Sequence, residues 1–460
     1  MSKPIVAVVG RPNVGKSTLF NRLIGAPVAI IEDQPGTTRD RLYGDTDWNG
    51  RDFIVVDTGG LSPGEDETMA RAIRDQAEIA MQEADVIAFL VDAKAGLTAD
   101  DMAVAELLRR THKPVVLVAN KGESERRRLA ANEFYELGLG EPIAVSAIQG
   151  IGTGDMLDRV VELLPPAGED EDEDEDVALR LAIVGRPNVG KSSLLNALLG
   201  FERVLVSNIP GTTRDSTDTV LLHEDKRIML IDTAGVRRRG HVTGSIEKYS
   251  VLRAVRAISR CDVALLIVDA TEPLTAQDQH IAGYVQEAQK GMIVVVNKWD
   301  LIEKNAETMN DYTERVRREL NFMSYVPVLF VSAKTKQRVH KIVDAALLIG
   351  EQRKRHVPTA QLNEAVQEAL RAHPPLSSKG KLLKIKYVTQ AATDPPTFVF
   401  FVNDADLVHF TYRRFLENQL RDKFGFEGTT LNLVFRSSER TEQRKAIQKK
   451  EEPPPRRLRA

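Results

Sequence analysis

The sequence predicts an α/β protein in which a parallel-type sheet covered by helices is built twice on one chain and followed by a smaller α+β domain. Three observations predict it. Short apolar runs alternate with helix-like segments, which implies a parallel sheet buried on both faces. Three motifs return at one fixed offset of 175 residues, which implies a duplicated domain. The C-terminal region has another element order and another charge. At about 150 residues per domain, a chain of 460 residues also suits three domains.

The first copy is read over residues 1–167, with strands at Ile5–Val9, Phe53–Val56, Val86–Val91 and Val115–Ala119. The second, over 178–352, answers with Leu181–Val184, Ile228–Ile231, Val263–Val268, Met292–Val296 and a further strand at Val326–Val331. Gly-Arg-Pro-Asn-Val-Gly-Lys-Ser stands at Gly10–Ser17 and again at Gly185–Ser192. Pro-Gly-Thr-Thr-Arg-Asp stands at Pro35–Asp40 and Pro210–Asp215. Asp57-Thr58-Gly59-Gly60 is answered by Asp232-Thr233-Ala234-Gly235.

Between the copies, Gly168 precedes eight consecutive acids, Glu169–Asp176. Like charges repel, so residues 168–177 read as an extended, disordered spacer. Fending off RNA or meeting a basic partner face is the alternative. From Lys354 onward the chain holds 20 Lys and Arg against 12 Asp and Glu, a balance of +8, so the remainder sums to −11. A compact third domain is read over 353–438 and a basic, disordered tail over 439–460. Its elements are a helix at Leu362–Leu370, strands at Leu382–Val388 and Phe398–Val402, a helix at about Asp406–Phe424 and a strand at Thr430–Val434.

Composition is that of a soluble globular protein, 42% hydrophobic and 28% charged, and a net charge of −3 gives no global field for nucleic acid. The single cysteine, Cys261, cannot form an internal disulfide and reads as a small buried hydrophobe. There is no run of 18 apolar residues for a membrane span, and a strand starting at Ile5 leaves no room for a signal peptide. The chain is therefore read as cytoplasmic, without a membrane partner, and as a monomer.

Each octapeptide fits the phosphate-binding pattern G-x-x-x-x-G-K-[ST], between an apolar strand and a helix-like run (Leu19–Ile24, Leu194–Leu199). Here Gly10, Arg11, Pro12, Asn13, Val14 and Gly15, and again Gly185, Arg186, Pro187, Asn188, Val189 and Gly190, would curl so that successive N–H groups face one anion at a helix N-terminus. Lys16 and Lys191 would meet the β- and γ-phosphates, and Ser17 and Ser192 would place a hydroxyl on Mg²⁺. Asp57 and Asp232 each end an apolar strand, where a carboxylate can hold Mg²⁺ through water. The glycines that follow can offer N–H to the γ-phosphate. Thr38 and Thr213, chosen over their neighbours Thr37 and Thr212, can complete the Mg²⁺ shell only while that phosphate is present. That dependence makes a switch.

Asn297-Lys298-Trp299-Asp300 follows a strand. Asp300 can accept guanine N1–H and N2–H, donors that adenine lacks in that arrangement, and a buried carboxylate left unpaired rejects the wrong base. Asn297 would meet the other base edge, and the Lys298 stem would lie on the ring plane. Ser332-Ala333-Lys334, with Ser146-Ala147 as its counterpart, would offer backbone to guanine O6.

These residues resemble the translation-factor-like GTPases. The tandem copy with an added C-terminal domain resembles one family, Der (EngA), the double GTPases of bacterial ribosome assembly, over nearly the whole chain. The resemblance implies GTP/GDP as ligand and GTP hydrolysis coupled to late maturation of the large (50S) ribosomal subunit and its rRNA. It implies a KH-like C-terminal domain packed between the two GTPase domains. It also implies K⁺ at Asn13 and Asn188, acting where other systems use an arginine finger.

Two departures stand out. The residue after each Asp-x-x-Gly is Leu61 or Val236, and neither can orient a water, so intrinsic hydrolysis is expected to be slow. In the first copy Asn120-Lys121-Gly122-Glu123 puts a glutamate where the aspartate belongs, which predicts weaker guanine binding there.

The only G-x-x-G string in the C-terminal region, Gly425–Gly428, lies between a helix and a strand rather than two helices. It therefore reads as a turn and not as an RNA clamp. Lys379, Lys381, Lys384, Lys386 and the basic stretch Arg436–Arg459 are candidates for RNA phosphates, against a plain solvated face. Arg237, Arg238 and Arg239 could tie such contacts to nucleotide state. Two other classes compete. A GTP-gated scaffold would bind only proteins or a membrane surface. A tRNA-modification GTPase would share the Gly-Thr-Thr-Arg-Asp loop but carry a C-terminal cysteine motif, and Cys261 lies inside the second copy.

Overall fold

The computed structural model describes residues 3–24, 43–58, 74, 77–78, 80–81, 84–166, 177–200, 205–207, 218–233, 246–303, 305, 307–375 and 381–437. The first copy is built from β1 (Ile5–Gly10), α1 (Lys16–Leu23), β2 (Tyr43–Trp48), β3 (Arg51–Asp57), β4 (Val86–Asp92), α2 (Ala99–Leu108), β5 (Val115–Asn120), α3 (Glu125–Ala130), β6 (Ile143–Ala144) and α4 (Thr153–Leu163). Its six strands run in the order β2-β3-β1-β4-β5-β6. Alternate residues of β1 serve opposite faces. Val6 and Val8 pack with Phe20 of α1 and Val160 of α4, while Ile5, Ala7 and Val9 share a core with Val104 and Leu108 of α2. That double burial is why the strands are apolar throughout.

The second copy repeats the design with β7 (Val177–Val184), α5 (Lys191–Leu199), β8 (Leu205–Ser207), β9 (Thr219–His223), β10 (Lys226–Ile231), α6 (Ile246–Arg260), β11 (Val263–Asp269), α7 (Ala276–Glu287), β12 (Gly291–Asn297), α8 (Thr308–Glu319), β13 (Val328–Phe330) and α9 (His340–Arg353). The seven strands run in the order β13-β12-β11-β7-β10-β9-β8.

The expected parallel sheets are in fact mixed. β2 pairs antiparallel with β3, β9 with β10 and β8 with β9. The sequence reading has no strand at these three places. β2 reads Tyr-Gly-Asp-Thr-Asp-Trp and keeps a solvated face, so it lacks the apolar run that marks a buried strand. β8 has only three residues.

The C-terminal domain holds α10 (Thr359–Ala372), β14 (Ile385–Thr393), β15 (Pro396–Val402), α11 (Phe410–Phe424) and β16 (Asn432–Ser437), in the predicted α-β-β-α-β order. β15 is central, antiparallel to β14 and parallel to β16. Phe398, Phe400 and Leu433 pack with Leu362 and Val366 of α10 and Leu416 and Leu420 of α11. The resemblance implies this domain between both copies, and the contacts described here tie it to the second. The turn after α11 does so: Gly428 donates its N–H to Tyr325 O at 3.1 Å and accepts from Met292 N at 2.8 Å. Arg421 lies over the Tyr325 ring at 3.5 Å, and its guanidinium also holds the carbonyls of Phe426 and Thr429. The Gly425–Gly428 string is thus a turn, as predicted, and its work is packing, with Phe426 wholly buried.

Candidate functional site

Both phosphate loops take the shape their glycines permit. Gly15 and Gly190 sit at φ 98° and 100°, and a Cβ at either would lie 2.3 Å from the Nδ2 of Asn120 or Asn297. Only glycine fits there. Asn13 and Asn188 also take left-handed φ, 65° and 64°. Each loop runs into a helix, α1 or α5, whose first turn has no side-chain cap. The first amide donors of such a helix have no intrahelical partner, so they can meet an anion.

Lys16 is buried, and its ammonium donates to Gly10 O and Arg11 O, both at 2.8 Å. Lys191 makes the matching pair with Gly185 O and Arg186 O at 2.6 Å. Burial lowers the pKa of Lys16, against the opposing pull of Asp57. It lowers that of Lys191 to about 8, against Asp278. A phosphate beside either ammonium would restore the charged form. The Ser17 hydroxyl donates to Asp57 at 2.6 Å, beside the loop. A hydroxyl and a carboxylate together form an all-oxygen donor set that suits a hard cation such as Mg²⁺.

The base-reading motif is positioned from behind. Asn120 donates to Val14 O at 2.8 Å and accepts from Ala147 N at 3.0 Å. Asn297 does the same with Val189 O and Ala333 N, both at 3.0 Å. The sequence reading puts Asn297 against the base. In the structure its buried amide joins three segments: the phosphate loop, its own strand and the Ser332-Ala333 turn. In the same motif, the Trp299 side chain is buried and packs on Phe330 and Tyr312. Lys121 and Lys298 have left-handed φ, 69° and 61°. Lys121 donates to Asn13 O and to Asp92, each at 2.7 Å, and Lys298 pairs with Asp269. Burial raises the Asp92 pKa, but the Lys121 ammonium and the Lys94 amide outweigh it and the net shift is downward. Asp269 behaves alike, through Lys298 and Thr271. Glu123 holds Arg127 at 2.5 Å and accepts weakly from Ser146 at 3.5 Å.

Four acids escaped the sequence reading. Asp92 and Asp269 anchor the motif lysines. Asp101 and Asp278 anchor the second loop residue, with Arg11 Nε at 2.8 Å and Arg186 Nε at 2.9 Å. The signal was in the spacing. Asp92 and Asp269 each close an apolar strand 28 residues before the motif asparagine. Asp101 and Asp278 each follow Thr-x-x, the signature of a helix capping box, and both boxes form.

Thr37, Thr38, Gly59, Gly60, Leu61, Thr212, Thr213, Ala234, Gly235, Val236, Arg237, Arg238 and Arg239 lie outside the described residues. So do Lys379, the acidic run and the tail beyond Ser437. Cys261 is buried, and burial pushes its thiol up to about 12, which fits the inert reading. Among the described residues no helix is long and apolar enough to cross a membrane.

Known proteins match this arrangement along nearly the whole chain. The profile described as 50S ribosome-binding GTPase matches residues 5–121 and again 180–298. The profile described as KH-domain-like of EngA bacterial GTPase enzymes, C-terminal, matches 356–436. GTPase Der of Moorella thermoacetica is 57% identical over 438 residues, covering 95% of this chain and 99% of that protein. GTPase Der of Chloroflexus aggregans is 56% identical over 451 residues, covering 96% and 100%. Among solved structures, Era of Aquifex aeolicus bound to GDP and AlF4⁻ overlaps slightly, with 21% identity and a TM-score of 0.29 over 56% of this chain and 93% of that one. With both phosphate loops, the guanine motif and the KH-like domain accounted for in one register, the chain belongs to the Der (EngA) family of GTP-binding, GTP-hydrolysing bacterial enzymes.

Proposed function

We propose that this GTPase is a nucleotide-dependent switch in late assembly of the large (50S) ribosomal subunit, with rRNA in its contact surface. The observation that carries the reading is the docking of the C-terminal domain on the second copy: Gly428 bonds to Met292, the second residue of β12, and that strand ends at Asn297 of the base site. One short strand thus joins the added domain to the nucleotide site. The charge asymmetry supports an RNA partner, with +8 from Lys354 onward against −11 elsewhere. A purely protein-binding scaffold leaves that asymmetry without a use. The Der relatives weigh against a tRNA-modification enzyme.

In this reading Lys16 and Lys191 hold the β- and γ-phosphates, and the uncapped starts of α1 and α5 offer amides to them. Ser17, Thr38 and Asp57, and Ser192, Thr213 and Asp232, are the Mg²⁺ residues. Bound there, the metal offsets charge on the β- and γ-oxygens. Asn13 and Asn188, exposed at the loop rim, are the candidates for K⁺. Asp300 reads guanine in the second domain and Glu123 less well in the first. Asn120 and Asn297 position the loops. With Leu61 and Val236 four residues after Asp57 and Asp232 in the sequence, neither copy has a glutamine at that position to orient water, so unassisted turnover is slow.

The test is cosedimentation with purified large subunits in GTP and in GDP, for the native chain, Lys16→Ala and Lys191→Ala. The reading expects binding that depends on nucleotide, weakens with salt, and changes in each variant. Binding indifferent to salt and nucleotide would return the scaffold reading.

A further inference from the structure

One difference between the two copies lies at the strand that precedes β3 and β10. In the first copy β2 begins Tyr43-Gly44, and Gly44 pairs with Val55 of β3. In the second, Thr219 pairs with Leu230 of β10, which puts Asp218 at the place of Tyr43. Asp218 does something Tyr43 cannot do. Its Oδ1 accepts the backbone N–H of Asp232 at 2.8 Å. Arg260, the last residue of α6, grips the same carboxylate through NH2 at Oδ2 and NH1 at Oδ1, the latter at 3.4 Å. The Asp218 side chain is 2% exposed, so this charge is buried and paired. Next to it, the hydroxyls of Thr219 and Thr233 meet at 2.8 Å in the interior.

These two ties hold Asp232 and Thr233 to the start of β9. Asp232 needs holding, because its φ is 52°, a region that residues with side chains rarely adopt. A carboxylate accepting an amide proton while saturated by a guanidinium is a strong anchor. Asp218 is also only five residues beyond Thr213 in the sequence.

We propose that Asp218, clamped by Arg260, is a positioning residue that fixes Asp232 for the metal-bound nucleotide in the second GTPase domain. It touches neither nucleotide nor metal. It sets where the Asp232 carboxylate stands. Outer partners of this kind change metal affinity by about tenfold or more when removed. The first copy has tyrosine at this position, so its Asp57 is held otherwise, and the two domains should differ in metal dependence.

The inference rests on the proposed metal role of Asp232, and the experiment separates the two. The full chain carrying Lys16→Ala reports on the second site. Fluorescent GTP is titrated with Mg²⁺, and fluorescent GDP is titrated in EDTA. Asp218→Ala is expected to raise the Mg²⁺ midpoint about tenfold while metal-free GDP binding stays unchanged. Asp218→Asn keeps an amide acceptor but loses the charge, so it should shift the midpoint less, in the same direction. If Asp218→Ala does not fold, Asp218→Asn decides alone by the presence or absence of that shift. An unmoved midpoint overturns the inference, and so does an equal loss of metal-free GDP binding, which would mark a merely structural role. Asp232→Ala is the control. If it too leaves the midpoint unmoved, the metal reading of Asp232 fails. If it moves the midpoint and Asp218→Ala does not, only the positioning role fails.

Discussion

Tyr43 donates its hydroxyl to the backbone oxygen of Tyr284 at 2.9 Å, and the two rings meet edge to face with centroids 5.0 Å apart. Tyr43 opens β2 in the first copy and Tyr284 lies on α7 in the second. This buried contact makes the cores of the two copies continuous. Asp85 and Arg256 add an ion pair across the same boundary at 3.6 Å. Tyr43→Phe should cost about 1 kcal/mol, the net worth of one hydrogen bond. Tyr43→Ala also removes the ring, and calorimetry should then resolve two unfolding transitions where the native chain shows coupled ones. A single unchanged transition would show that the contact carries no coupling.

Asn297→Ala should cost stability in the second domain even without nucleotide. The change strands Ala333 N–H and Val189 C=O in the interior, and each buried unsatisfied group costs about 1–3 kcal/mol. It also frees the phosphate loop from the base loop, so guanine nucleotide binding at that site should weaken. Urea denaturation and nucleotide titration check the two halves. If binding falls while stability holds, the asparagine contacts the base as the sequence reading had it.

Much of this was legible in the sequence. The apolar strands showed themselves because both faces are buried, and the phosphate loops because glycine alone fits beside Asn120 and Asn297. What escaped has physical causes. β2 lies at a sheet edge, where half-solvated sequence does not read as strand, and β9, though mostly buried, has only five residues. A tertiary partner such as Asp218 leaves little trace in local pattern, since what it serves is an amide and an arginine far along the chain. Motif position says nothing about which way a side chain turns, and that of Trp299 turns into the core against Phe330 and Tyr312.

Gly428→Ala should loosen the C-terminal domain from the second copy. At φ 69° an added Cβ is strained, by about 1–2 kcal/mol. It would also stand 2.4 Å from Ile349 Cδ1, and overpacking costs about 1–3 kcal/mol more. The thermal midpoint should fall, and nucleotide-dependent subunit binding should fall with it. A variant of unchanged stability would mean the turn has room to move.

Nucleotide binding at the second site should take up protons in mildly alkaline solution. The buried Lys191 titrates at about 8 without ligand, from an ordinary value of 10.5. Between these values the folded, ligand-free ammonium has lost a proton that the unfolded chain keeps, so the depressed pKa makes stability rise with pH in this window. Phosphate oxygens restore the proton, so binding draws one from solution. Calorimetry of GDP binding to Lys16→Ala, repeated in buffers of different ionisation enthalpy, should give an uptake that grows above about pH 8 and is small at neutral pH. No buffer dependence at alkaline pH would mean that Lys191 stays charged in its burial.

The first domain should bind guanine nucleotide less tightly than the second, and should discriminate less against inosine. Glu123 stands where the second copy has Asp300, one methylene longer, and it is already engaged: Arg127 donates to it at 2.5 Å. To accept the base N1–H and N2–H, that carboxylate must share itself with a guanidinium held on α3. A hydrogen bond to a charged group is worth about 1.5–3 kcal/mol, so a poor one costs about tenfold or more in affinity. The comparison uses full chains, with Lys191→Ala reporting the first site and Lys16→Ala the second. Inosine nucleotides lack the N2 amine, and losing it should matter less where that contact is already weak. Glu123→Asp alone should recover only part of the difference, because the shorter side chain leaves Arg127 unpaired beside the base. Equal guanine affinities and equal guanine-to-inosine ratios at the two sites would show that the extra methylene is absorbed without loss.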